Sequence, residues 1–142
     1  MTIIKKAKMK SKEPKTNELE MEEKFIPFKE RKSHAERVQE SRSIRKRYPL
    51  TVPVIVERLK GEKQLPLLEK VKFLVPEDMC ISQFMFVVRS RMLTLSPSQS
   101  LHFIINSSQV PSMQLTMGEV YGRFADEDGF LYLRYAATAM FG

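Results

Sequence analysis

Tryptophan is absent from the 142 residues, and there are only one cysteine, two histidines and five glycines. The single thiol, Cys80, excludes an internal disulfide and fits a reducing compartment. His34 and His102 with one cysteine offer no zinc spacing, and the few glycines form no phosphate-cradling loop. Asp126-Glu127-Asp128-Gly129 lacks the spacing of a calcium loop and reads as a hairpin turn. Cys80 follows an acidic pair and opens a helix, where a thiolate is favoured, but no base stands near it in sequence. Neither catalysis, nor a metal, nor a cofactor is expected. Long apolar runs are missing too: Met1-Thr2-Ile3-Ile4 meets lysine at once, too short for a signal peptide or a membrane span. The default expectation is cytoplasmic.

What the chain does have is positive charge, net +7, unevenly placed. Residues 1–24 carry 7 basic and 5 acidic groups, residues 25–50 carry 8 and 3, and residues 51–142 carry 9 of each. The field therefore belongs to the N-terminal third and suits acidic peptides, anionic lipid or nucleic acid alike. Residues 1–24 are too polar to offset their ordering entropy and read as a flexible extension. Residues 25–50 read as a helical subdomain. Ser33-x-x-Glu36 has capping-box spacing and opens a helix to about Arg47, ended by Tyr48-Pro49. Its apolar stripe is thin, with Val38 and Ile44 the strong members, so it should lie on a domain surface.

Residues 51–142 read as one folded core. Thr51–Arg58 is β-branched and predicts a strand, with Pro53 requiring an edge, a bulge or a non-donating site. Lys70–Pro76 predicts a second strand, placing Lys72 and Leu74 on one face and Phe73 and Val75 on the other. Lysines at its start and proline at its end mark a managed edge, able to accept one more strand from a partner. Ile81, Phe84, Met85, Val88 and Met92 step by three and four and predict a helix over 81–93. Strands follow at Leu101–Asn106 and Phe130–Ala136, with a short helical turn at Met117–Tyr121. Two strands, a crossing helix and two more strands make an α+β, ubiquitin-like β-grasp with an additional N-terminal helical subdomain.

Several stretches then fall in a telling order: Phe28-Lys29-Glu30-Arg31, Tyr48-Pro49, Val52 to Arg58, Lys60 to Pro66, Lys72 to Pro76, Asp126 to Tyr132, and a terminal Phe141-Gly142. Together they resemble the autophagy ubiquitin-like modifiers, in particular the microtubule-associated protein light chain 3 branch, over residues 25–142. Residues 1–24 are an addition that the family pattern does not explain.

The resemblance implies a non-enzymatic modifier conjugated through Gly142 to phosphatidylethanolamine. It would be cytoplasmic, and on the autophagosome membrane after lipidation. Implied partners are cargo receptors carrying aromatic-x-x-aliphatic motifs, the conjugation enzymes, the processing cysteine protease, and microtubules, with no specific nucleic acid. It further implies two pockets beside the docking strand. Pocket one would be lined by Glu40, Ile44, Pro53, Ile55, Lys72, Leu74 and Phe130, and pocket two by Phe73, Val75, Pro76, Phe84, Val87 and Val88. Arg31, Lys32, Lys70 and Lys72 would face acidic residues flanking the guest, and Arg91 would contact the protease and receptors. Two buried anchors give roughly 1.5–3 kcal/mol each before association costs, so micromolar affinity is expected.

For Phe84 and Val88, plain core membership is an equal alternative to pocket lining. The alternative function is a basic cytoskeletal or nucleic-acid-binding module using Arg31 to Arg47, although no aromatic stacking array accompanies it. One further reading is self-docking, because Glu22-Glu23 ahead of Phe25-x-x-Phe28 faintly mimics the guest motif.

Overall fold

The structure is a computed structural model that describes residues 2–3, 25–92 and 94–137. In chain order these form β1 (Thr2–Ile3), α1 (Phe28–Arg31), α2 (His34–Arg47), β2 (Thr51–Arg58), β3 (Lys72–Pro76), α3 (Ile81–Ser90), β4 (His102–Ile105), β5 (Ser108–Gln109), α4 (Met117–Phe124) and β6 (Leu131–Ala136). The strands make one mixed sheet in the order β1-β3-β2-β6-β4-β5. The central pair, β2 and β6, is parallel, and β3 runs antiparallel to β2.

Local chemistry sets the element ends. Ser33 Oγ accepts the Glu36 N–H at 3.2 Å while the Glu36 carboxylate accepts the Ser33 N–H at 2.9 Å, completing the expected capping box of α2. The same reciprocal pair, Thr116 and Glu119, opens α4, which runs past the short turn expected at 117–121. Pro53 costs the ladder nothing because β2 has only β3 beside it at that point. Pairing with β6 begins one residue later, at Val54.

The sheet's two faces carry two separate apolar clusters. Val52, Val54, Val56, Phe73, Val75, Leu131, Leu133 and Tyr135 look toward α3 and α4 and form the main core. Ile55, Val71, Leu74 and Phe130 look the other way and are covered by Phe28 of α1 and Ile44 of α2. The N-terminal helices thus pack on the sheet's outer face, as the thin stripe of α2 requires: only Ser41 and Ile44 of that helix are buried.

Three expectations need correction. Helix α3 ends at Ser90, not Leu93; Met92 is buried through a turn, its N–H bonded to the Arg89 carbonyl at 2.9 Å. Asn106 and Ser107, where turn residues were expected, both have positive φ and form the tight turn of a β4–β5 hairpin whose second strand was not expected. The strand at 72–76 is also not an empty edge: Thr2 pairs with Phe73 and Ile3 with Leu74, in parallel.

Candidate peptide-docking site

The candidate site is built on β3. One side of this strand is engaged by β2 along its whole length, from Lys72 opposite Ile55 to Pro76 opposite Thr51. On the other side the described partner is Thr2–Ile3, opposite two residues of the five. Backbone groups of β3 are therefore presented to a second strand on that side, as the edge reading requires.

On the outer face the residues expected in pocket one do come together. Ile44, Ile55, Leu74 and Phe130 share one cluster, and Pro53 sits in register opposite Leu74. Phe28 stands at its centre, edge-on to Phe130 with ring centroids 5.1 Å apart and 6.5 Å from the Tyr132 ring. The expected hole is accordingly a packed cluster, since Phe28, Ile55, Leu74 and Phe130 are each at most 1% exposed.

Its rim is charged. Lys72 Nζ lies 2.5 Å from Glu40 Oε2 and 5.5 Å from the centre of the Phe28 ring, while Lys32 Nζ reaches Glu40 Oε1 at 3.3 Å. Burial pushes the Glu40 carboxyl up, but the hydrogen bonds and charges of Lys72 and Lys32 outweigh this and hold it below the usual range. Of the four cations expected to meet acidic flanks, Lys32 and Lys72 are thus already paired. Arg31 and Lys70 are exposed, with Arg31 also resting over the Phe28 ring at 5.7 Å.

On the inner face, Phe73, Val75, Phe84 and Val88 belong to the main core and are fully buried, Phe73 meeting Phe84 edge-on at 5.5 Å. Between the two alternatives weighed for Phe84 and Val88, the structure places both in the core. Pro76 and Val87 are half-buried at its surface.

The outer-face elements are clamped by polar contacts. Arg37 Nη1 lies 2.5 Å from Asp128 Oδ2, which also accepts the Tyr132 hydroxyl at 2.5 Å, and Ser41 Oγ donates to the Asp128 carbonyl. Burial raises the Tyr132 hydroxyl pKa strongly, and the Asp128 carboxylate adds to it, so it remains a donor. Lys29 bridges to Asp126 at 2.8 Å, and the Phe28 N–H is accepted by the buried Glu57 carboxylate at 2.8 Å.

A sheet with a strand-accepting edge and helices on both faces has a counterpart in known proteins. A family profile described as "Autophagy protein Atg8 ubiquitin like" matches residues 36–142. The chain belongs to the Atg8 family. Human microtubule-associated protein 1 light chain 3 gamma is 44% identical over 116 residues, 82% of this chain and 78% of that one. Protein lgg-2 of Caenorhabditis elegans is 40% identical over 115 residues, 81% of this chain and 88% of that one. A crystal structure of Trypanosoma brucei ATG8 superimposes with a TM-score of 0.73 at 32% identity, covering 84% of this chain and 100% of that one.

The light chain 3 resemblance and the ubiquitin-like α+β fold are therefore borne out for this Atg8 family member. Phe28, Val71 and Tyr132 were not anticipated as members of the outer cluster. The signal for Phe28 was present, an apolar Phe25-x-x-Phe28 pair just ahead of a helix cap. That pair lies in the outer-face packing, with Phe28 inside α1, while Glu22 and Glu23 of the self-docking reading lie outside the described residues. Arg91 is the C-terminal cap of α3 and is half-buried. Gly142 and residues 4–24 lie outside the described residues.

Proposed function

We propose that this Atg8 family member is a ubiquitin-like modifier joined through Gly142 to phosphatidylethanolamine. In that role it recruits cargo receptors to autophagosomal membranes by docking aromatic-x-x-aliphatic peptides along β3. The observation that carries the reading is the outer edge of β3, which takes up a second, parallel strand while its faces look into different apolar clusters. An extended guest pairs its backbone with this edge and projects alternate side chains toward the two clusters. On the outer face, an entering aromatic ring must displace the Lys72 ammonium lying over the Phe28 ring. On the inner face, Pro76 and Val87 offer the accessible apolar surface above a floor of Phe73, Val75, Phe84 and Val88. Arg31 and Lys70 meet acidic flanks directly, whereas Lys32 and Lys72 do so by exchanging Glu40 for the guest carboxylate.

The chain acts as a carrier and adaptor, its conjugation being performed by separate enzymes and reversed by a cysteine protease. Two acyl chains on the lipid give durable attachment where one would be marginal. Partners also include microtubules, a reading suggested by the name of the human relative and by the exposed Arg42, Arg45, Lys46 and Arg47 of α2. The test is calorimetric titration of an acidic-flanked Trp-x-x-Leu peptide against the wild type and an Arg31→Glu/Lys70→Glu variant. Micromolar binding that weakens at least several-fold in the variant is expected, and no binding to the wild type refutes the reading. For lipidation, Gly142→Ala should abolish transfer to phosphatidylethanolamine vesicles in a reconstituted conjugation reaction.

A further inference from the structure

We propose that Thr2–Ile3 is a built-in competitor for the docking edge, so that a receptor peptide binds only by displacing the chain's own N-terminal strand. This rests on the reading of β3 as the peptide site. The exclusion follows from hydrogen-bond valence. With β2 holding one side of β3 throughout, a guest has only the side on which Thr2 faces Phe73 and Ile3 faces Leu74. Each outward N–H serves one strand at a time, so any visitor spanning Phe73–Leu74 must evict the resident pair.

The resident is suited to hold the edge weakly. Threonine and isoleucine are β-branched and favour extended backbone, but the ladder covers only two residues. Lys5 and Lys6 lie two and three positions beyond Ile3 in sequence, and β3 begins at Lys72 with Lys70 just before it, so the resident segment and the edge carry charge of the same sign. A guest with acidic flanks has the opposite, favourable sign. The resident belongs to the same chain as the edge, so its pairing is intramolecular, with an effective concentration on the order of millimolar. Millimolar intrinsic pairing then gives a closed-to-open ratio on the order of 1 to 10. Apparent peptide affinity falls by about 2- to 10-fold, the same factor for every peptide that uses this edge.

The test compares the full chain with a full-length Thr2→Pro/Ile3→Pro variant, which removes both N–H donors at a site remote from the core. Two readouts are taken: hydrogen exchange of the outward-facing Lys72 and Leu74 amides without ligand, and titration with two acidic-flanked Trp-x-x-Leu peptides of different affinity. The expected result is faster exchange at Lys72 and Leu74 in the variant and tighter binding of both peptides by one common factor of about 2 to 10. Unchanged exchange, or equal affinities for the two chains, overturns the proposal. A gain that grows with protein concentration means that the strand is exchanged between copies, and overturns the assignment within one chain. If exchange responds but neither chain binds peptide, the peptide-docking reading fails and the competitor role with it, leaving only the strand pairing.

Discussion

Replacing Gly129 by alanine probes the joint that holds α2, and with it Glu40 and Ile44, against the sheet. Gly129 has φ +92°, and a Cβ there would lie 2.2 Å from Ser41 Oγ and 2.9 Å from Ser41 Cβ. The left-handed backbone alone costs a residue with a side chain about 1–2 kcal/mol. Rotating the Ser41 hydroxyl away does not relieve the contact with its Cβ, so α2 must shift. The shift loosens the buried Ser41–Asp128 hydrogen bond, adding about 1–3 kcal/mol. Gly61→Ala is the matched control, because it has the same φ of +92° with nothing within 4 Å. Urea unfolding of the two variants should therefore differ by about 1–3 kcal/mol, Gly129→Ala being the less stable. Peptide affinity should fall in Gly129→Ala alone, since only there do Glu40 and Ile44 move. Equal losses of stability would refute the reasoning: they would mean that α2 is not seated on the 126–130 turn.

Phe28→Ala removes the centre of the outer-face cluster and should cost about 3–5 kcal/mol in urea unfolding; a loss below about 1 kcal/mol would show that α1 is a peripheral cover. Glu40 and Asp126 both sit below their ordinary pKa when folded. Burial raises each, but Lys72 and Lys32 outweigh it at Glu40, and Lys29 with the Asp128 N–H does so at Asp126. The unfolded chain then binds more protons as pH falls, so this stability is full above about pH 5 and lost as pH drops through the depressed values. Thermal melts from pH 6 down to 3 should show that loss, with a shallower slope in Glu40→Gln. Salt separates peptide docking from phosphate binding: raising it from 50 to 200 mM should weaken an acidic-flanked peptide by less than about tenfold, whereas multiple phosphate contacts would cost about 10³-fold or more.

What could be read without coordinates was whatever short-range chemistry decides. Ser33 and Glu36 announce the start of α2, the β-branched run 51–58 announces β2, and the alternation of Lys72, Phe73, Leu74 and Val75 divides them correctly between two clusters. What stayed hidden depends on partners far along the chain. Nothing local in Thr2–Ile3 names β3 as its neighbour, some seventy residues away. The ion pairs at the outer cluster escaped for the same reason: Glu40, which ties down Lys32 and Lys72, was legible as a pocket residue but not as their counter-ion. Periodicity misled at the end of α3, because Met92 keeps the apolar spacing while the backbone has already left the helix. The turn at Asn106–Ser107 was legible from its residues, but β5 was not, because Ser108–Gln109 is two residues of polar sequence with no strand pattern.

The central claim, that the outer edge of β3 takes up a guest strand, is tested most directly by an amide-resolved NMR titration with an acidic-flanked Trp-x-x-Leu peptide. The account predicts saturable shifts that are largest at Lys72 to Val75 and spread to Phe28 and Val87, with a dissociation constant in the micromolar range. Shifts confined to the basic face of α2, with the 72–75 amides unmoved at saturation, would contradict it.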